Sequence, residues 1–177
     1  MMEYHDTEWG VPLHEDQTLF EFLILEGAQA GLTWQTILNK RENYRKAFDY
    51  FQVNKIAKYG SSDVIRLLAD SGIIRNCLKI ESTILNAKAF LRVKKEFNTF
   101  DAYIWKFVGN SPIIHSINMD DDDDIIPVTT KEADTMSKDL IKRGFKFVGP
   151  TICYAFMQAV GMVNDHEINC FRHKVLK

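Results

Sequence analysis

The stretch LIKRGFKFVGPTICYAFMQAVG, residues 140–161, decides the fold. One helical pattern stops at Gly144, a short segment holds Phe145 and Phe147, and a second helix opens after Gly149. Pro150 suits the first helical position, because its φ is already helical and its missing N–H would have no partner there. This second helix is expected to end near Gly161. A glycine ahead of a helix start leaves backbone N–H groups free at the positive end of the helix dipole, and that arrangement captures a phosphate. Thr151 adds a hydroxyl, and Lys142, Arg143 and Lys146 add positive charge. This is the logic of a helix-hairpin-helix element over 137–161, which grips one DNA strand by its backbone and reads no sequence. The same pattern also fits an ordinary connection between two helices with basic residues in solvent.

Outward from this hairpin the chain reads as helices with almost no strands. Leu19, Phe20, Phe22, Leu23 and Ile24 predict a short apolar helix ending near Gly27. Trp34, Ile37, Leu38, Tyr44, Ala47 and Phe48 have helical spacing, with a break expected near Asn39. Ser62 reads as the N-cap of a helix closing at Gly72, and residues 74–96 as a long amphipathic helix. Tyr103 to Val108 suggest another, stopping at Gly109-Asn110, and 109–129 read as a loop. Thr129 with Glu132 fits a capping box for a helix that runs to Arg143. The expected fold is an all-α bundle of six to eight helices, one domain over residues 1–177.

Composition narrows the function classes. No apolar run is long enough to span a membrane. The opening MMEYHDTEWG is acidic and polar, and does not read as a signal peptide. Cys77, Cys153 and Cys170 are far apart and odd in number, so they form no disulfide framework and point to a reducing cytoplasm. Cys77 and Cys153 fall inside helices and are expected in the core. Net charge is −2, which is unusual for a nucleic-acid binder. The five aspartates Asp120–Asp124 distort that balance; without them the charge is +3. They read as a solvated loop, since a calcium loop needs interleaved ligands and a sharp-turn glycine.

Two further stretches suggest a site. In LEGAQAGLTW (25–34), Glu26 follows four apolar residues on a helix that must pack. A buried carboxylate is costly unless a donor or a cation meets it. Small residues flank it, Leu32 stands at a turn tip as a candidate wedge, and Trp34 offers a stacking face. A carboxylate, an aromatic face and a small-residue loop suit a flat cationic ring. Equally, Trp34 fits the core and Glu26 a helix end with local partners. In VNDHEINCFRH (163–173), His166 and Cys170 are four apart, so a helix puts both on one face, as half of a zinc site.

Taken together, these stretches resemble the constitutive 3-methyladenine DNA glycosylase I family. The resemblance is carried by YHDTEWGVP (4–12), LEGAQAGLTW (25–34), KRENYRKAF (40–48), GIIRN (72–76) followed by KI, and KRGFKFVGPTICYAFMQAVGMVNDH (142–166). It implies an all-α helix-hairpin-helix glycosylase fold, two helical lobes with the lesion pocket between them. The implied activity is hydrolysis of the N-glycosidic bond of 3-methyladenine in alkylated double-stranded DNA, by a monomer. Carried across, Glu26 accepts hydrogen bonds from the flipped base. Tyr4 and Trp34 stack against it or line the pocket, with Trp9 close by. Leu32 and Gly31 probe the gap in the duplex, and Lys146, Gly149 and Thr151 hold the backbone. His5, His166 and Cys170 match three ligands of a structural zinc. Asp165 reads as structural, orienting His166 or capping a helix.

The chain departs from the family at its start. The family carries a Cys-x-Trp before the Tyr-His-Asp segment, whose Cys is the fourth zinc ligand and whose Trp helps sandwich the base. Here only Met1-Met2-Glu3 precede Tyr4, and no Cys precedes Cys77. Three outcomes stay open: three ligands completed by water or an added ligand, His173 as a substitute, or loss of zinc. A non-catalytic binder of alkylated DNA is the alternative function.

Overall fold

The computed structural model of the chain describes residues 1–118 and 126–176. The Asp120–Asp124 run lies outside the described residues. The described chain is helical: α1 (Met2–Thr7), α2 (Asp16–Gln29), α3 (Trp34–Ala47), α4 (Val53–Ile56), α5 (Ser61–Ala69), α6 (Cys77–Phe97), α7 (Phe100–Ile104), α8 (Lys131–Lys142), α9 (Pro150–Ala159) and α10 (Phe171–Val175). The short helices α1, α4, α7 and α10 raise the number above the six to eight expected; none is long enough to leave a clear repeat in sequence. No described helix is long and apolar enough to cross a membrane.

The centre is α2. Residues Leu19 to Ala28 are all buried, so this helix is enclosed on every side. It packs against α3, α6, α7 and α9. It continues past Gly27 to Gln29, where a stop was expected. Lys79 from α6 explains the extension: its Nζ donates to Ala28 O at 2.8 Å and Ala30 O at 2.7 Å, satisfying carbonyls that the helix end leaves free. The expected break near Asn39 is absent, since α3 is continuous from Trp34 to Ala47. Two caps shift. The α5 cap is Gly60, whose N–H donates to Asp63, in place of Ser62. The α8 cap is Thr130, which accepts from Ala133 N, while Thr129 bonds Asp134. Cys77 opens α6 in an exposed position and is not core, whereas Cys153 is buried.

The 109–129 loop contains a strand the sequence did not reveal. β1 (Ile113–Ile114) pairs in parallel with β2 (Val163–Asn164), and Ile117 bridges Glu167. Each strand is two residues long, too short for period-two alternation to register.

The 140–161 stretch forms α8, a tight turn and α9. Gly144 takes φ +94, and Phe147 also lies in the left-handed region. The turn is held from α6: Asn86 accepts from Lys146 N at 2.7 Å and donates to Lys146 O at 3.0 Å. Ser137 donates to Val148 O. Gly27 lets the turn sit on α2, since a Cβ there would lie 3.1 Å from Phe147 Cβ.

At the far end of α9, Gly161 takes φ +71, and a Cβ would lie 2.4 Å from the backbone at Val11 and Pro12. Leu13 N donates to Val160 O beside it. This contact brings the N-terminal segment against α9. Gly161→Ala is therefore expected to lower unfolding free energy by at least 2–3 kcal/mol, roughly, because backbone must move as well as twist. Gly31→Ala, at φ +78 but facing open space, should cost only about 1 kcal/mol. Urea unfolding of both variants measures the difference.

Candidate active site

A cavity of about 350 Å³ lies among α1, α2, α3 and α9, within the size range of small-ligand sites. It is lined by Tyr4, His5, Trp9, Glu26, Gln29, Trp34, Ala155 and Gln158, with Met1 at one edge. Residues predicted from two separate stretches thus meet in one place. The Tyr4 and Trp34 rings lie 5.7 Å apart at 52°, so the two aromatic faces converge without stacking on each other.

Glu26 sits here as expected, buried to 5% exposure. Among the described residues no donor reaches its carboxyl group, so the reading of a helix-end glutamate with local partners is overturned. Burial alone pushes its pKa up to about 8. The Tyr4 hydroxyl and Trp34 Nε1 are also buried, with no partner beyond their contact with each other. Burial, with Glu26 and Glu8 nearby, pushes the Tyr4 phenol well above its usual range, so it stays a neutral donor. Buried polar atoms are nearly always paired in folded proteins. A carboxyl group that lines a cavity without a donor marks a place for a ligand that carries N–H groups.

The walls are fixed from behind. Arg41, itself buried, donates to Glu8 Oε2 at 2.7 Å and to Glu21 Oε1 at 2.6 Å. It ties the end of α1 to α2 and α3, and its role had no signal in sequence. Next to the cavity is a second cleft of about 220 Å³, lined by Glu26, Gln29, Ala30, Gly31, Leu32, Thr151, Ile152 and Ala155. The Gly31-Leu32 tip and the start of α9 therefore border the same opening. Leu32 is 40% exposed at the tip. No side chain caps the first turn of α9, which leaves its N–H groups available to a phosphate. Arg143 does not serve there. It donates to Glu96 and Asp139 and lies over Phe97 and Tyr103, so its charge is already engaged.

Beside the cavity, His5, His166 and Cys170 bring Nε2, Nδ1 and Sγ within 4.8 Å of one another. Each nitrogen lies 3.7 Å from Sγ. Tetrahedral zinc ligands at ordinary bond lengths sit roughly 3.5 Å apart, close to the two nitrogen–sulfur distances here. The remaining ring nitrogens are occupied: His5 Nδ1 pairs with Asp6 at 2.8 Å and His166 Nε2 with Trp9 O at 3.2 Å. Those bonds orient both rings so that a lone pair faces the cluster. His173 is not part of it; its Nε2 is turned to His115 O at 3.1 Å. Asp165 neither orients His166 nor caps a helix. Its carboxylate is bonded by His115, Tyr154 and Gln158, and Asn164 instead accepts from His166 N.

A sequence profile described as methyladenine glycosylase matches residues 1–173. DNA-3-methyladenine glycosylase 1 of Escherichia coli (strain K12) is 48% identical over 94% of this chain and 88% of its own length. A crystal structure of 3-methyladenine DNA glycosylase I, also 48% identical, superposes with a TM-score of 0.91, covering 96% of this chain and 92% of that one. A variant of a 33% identical 3-methyladenine DNA glycosylase I, solved in complex with 3-methyladenine, superposes with a TM-score of 0.91 over 96% of this chain and 90% of that one.

The raised pKa of Glu26 carries a stability consequence. The folded state holds the proton up to about pH 8, whereas the unfolded chain releases it near 4.5. Stability from this group is therefore full below about pH 4.5 and is lost as pH rises toward 8. Glu26→Gln removes that loss. It is expected to be more stable than the parent at pH 9 by up to about 5 kcal/mol, and nearly equal to it at pH 4.5. Denaturant unfolding of both chains across that range reads the difference.

Proposed function

The chain belongs to the methyladenine glycosylase family, and from this footing we propose how its residues divide the work. It is a hydrolase of the N-glycosidic bond that excises 3-methyladenine from alkylated DNA in base-excision repair. The observation that carries the assignment of roles is Glu26: a buried carboxyl group without a donor, lining one cavity with the Tyr4 and Trp34 rings. A base inside a duplex cannot reach such a pocket, so it must be flipped out, and a damaged base pair yields at lower cost.

The alkylated adenine is a cation, and so already a good leaving group. Breaking the bond from C1′ sends the electron pair into the ring and neutralises it. A water oxygen then bonds to C1′ and gives up a proton to solvent. Glu26 accepts N–H groups of the cationic ring, while Tyr4, Trp9 and Trp34 enclose it. Shape alone discriminates one methyl by only about 1–3 kcal/mol, so polar pairing must supply the rest. Gly31 and Leu32 occupy the gap left in the duplex. Gly149 and Thr151, in a helix-hairpin-helix arrangement, hold a phosphate at the start of α9, and Lys146 adds charge.

His5, His166 and Cys170 are proposed to hold a structural zinc, with the fourth position open to water. When bound, the metal would cross-link α1 to the segment before α10 and would take no part in bond cleavage. Its ligands restrain α1, which carries two pocket walls.

Two measurements test this reading. Base release from methylated duplex DNA is expected to show kcat/KM rising with pH to a plateau above about 8, because the free enzyme must ionise Glu26. Glu26→Gln should release little base and lose that rise; full activity, or an unchanged profile, removes the role assigned to Glu26. Separately, the purified chain should contain one zinc, and chelation should lower its melting temperature by roughly 5 °C or more. Cys170→Ala should lose both the metal and the response to chelator.

A further inference from the structure

Gln158, on α9, lines the cavity but has no role in the scheme above. Its Nε2 donates to Asp165 Oδ2 at 2.8 Å. Asp165 is buried, and its oxygens also meet the Tyr154 hydroxyl and His115 Nδ1, each at 2.5 Å. A carboxylate oxygen accepts, and an amide carries its donors on nitrogen only. The contact with Asp165 therefore sets the sense of the amide: nitrogen toward Asp165, carbonyl oxygen away from it. Among the described residues no group donates to Gln158 Oε1. That oxygen is not among the sealed, unpartnered atoms, so it stays open on the side the residue lines.

We infer that Gln158 is a second hydrogen-bond acceptor for the flipped base, and that Asp165 is the positioning residue that keeps its amide in the accepting orientation. The inference rests on reading the cavity as a base pocket. A carboxylate alone holds a cationic ring from one edge only. A second acceptor, on a different helix, meets another edge, so Glu26 on α2 and Gln158 on α9 together set the ring's angle. Positive charge strengthens every N–H donor on the alkylated ring. A neutral purine offers weaker donors and more lone pairs, which two acceptors disfavour.

The test is titration of free 3-methyladenine by tryptophan fluorescence, with base release measured on methylated duplex DNA. Gln158→Leu, of similar volume, should weaken binding by roughly tenfold or more. Asp165→Asn can present either end of its own amide and no longer fixes Gln158; it should weaken binding by roughly threefold. In the Gln158→Leu background Asp165→Asn should cost nothing further, which a merely structural role would not produce. Where Asp165→Asn does not fold, Gln158→Asn serves: it keeps the amide but draws it back from the cavity, and should match Gln158→Leu. Unchanged binding in Gln158→Leu while Glu26→Gln loses it overturns this inference and leaves the pocket reading standing. Equal losses from Asp165→Asn in both backgrounds overturn the positioning role. A parent chain that binds no 3-methyladenine overturns the pocket reading, and the inference with it.

Discussion

The rest of the structure depends on keeping Glu26 dry. Its carboxyl group is carried on a helix enclosed on all sides, and burial alone moves its proton affinity by several units. That is a standing cost to the fold, because the neutral form is enforced where solvent would ionise it. In the proposed scheme the cost has a chemical use. A group desolvated before ligand arrives interacts with a cation in a low-dielectric setting, where attraction is far stronger than in water. The surrounding elements can be understood as means of enclosing α2. α6 and α7 cover it on one side, α9 and the hairpin turn on another, and α1 with α3 form the cavity wall.

The wall made by α1 is the hardest to hold. Six residues of helix cannot persist alone in water. Three ties compensate: Arg41 to Glu8, the His5–His166–Cys170 cluster, and the backbone contacts of residues 10–13 with the end of α9. The cluster belongs to the same problem as the base pocket. Trp9 shows the connection, since its carbonyl oxygen orients His166 while its side chain lines the cavity.

Much of this was legible because helical periodicity and glycine punctuation are local. The α8–α9 hairpin, the start at Pro150 and the burial beneath α2 all followed from spacing. What escaped was nonlocal. Lys79 extends α2 from 49 and 51 residues away, so the helix outruns its glycine. The β1–β2 pairing joins segments that no short-range signal connects. Arg143 looked like a free cation beside the hairpin, yet its partner Glu96 lies 47 residues distant. At the site, residue types announced Glu26, Tyr4 and Trp34, because an acid in an apolar run and clustered aromatics are conspicuous. Gln158 and Arg41 sit in helices where their side chains look ordinary.

Asp165 illustrates how position differs from role. In sequence it follows the hairpin closely enough to suggest either chemistry or a helix cap. In space its carboxylate is sealed and bonded on both oxygens by His115, Tyr154 and Gln158. A group so enclosed and so bonded presents no open face to a water or a sugar, so it is poorly placed to act as a base. The carboxyl group left without a donor is Glu26, on α2. This division suits a substrate that is already charged. Such a leaving group needs recognition more than activation, and in the proposed scheme Glu26 meets the ring while Asp165 serves as scaffold.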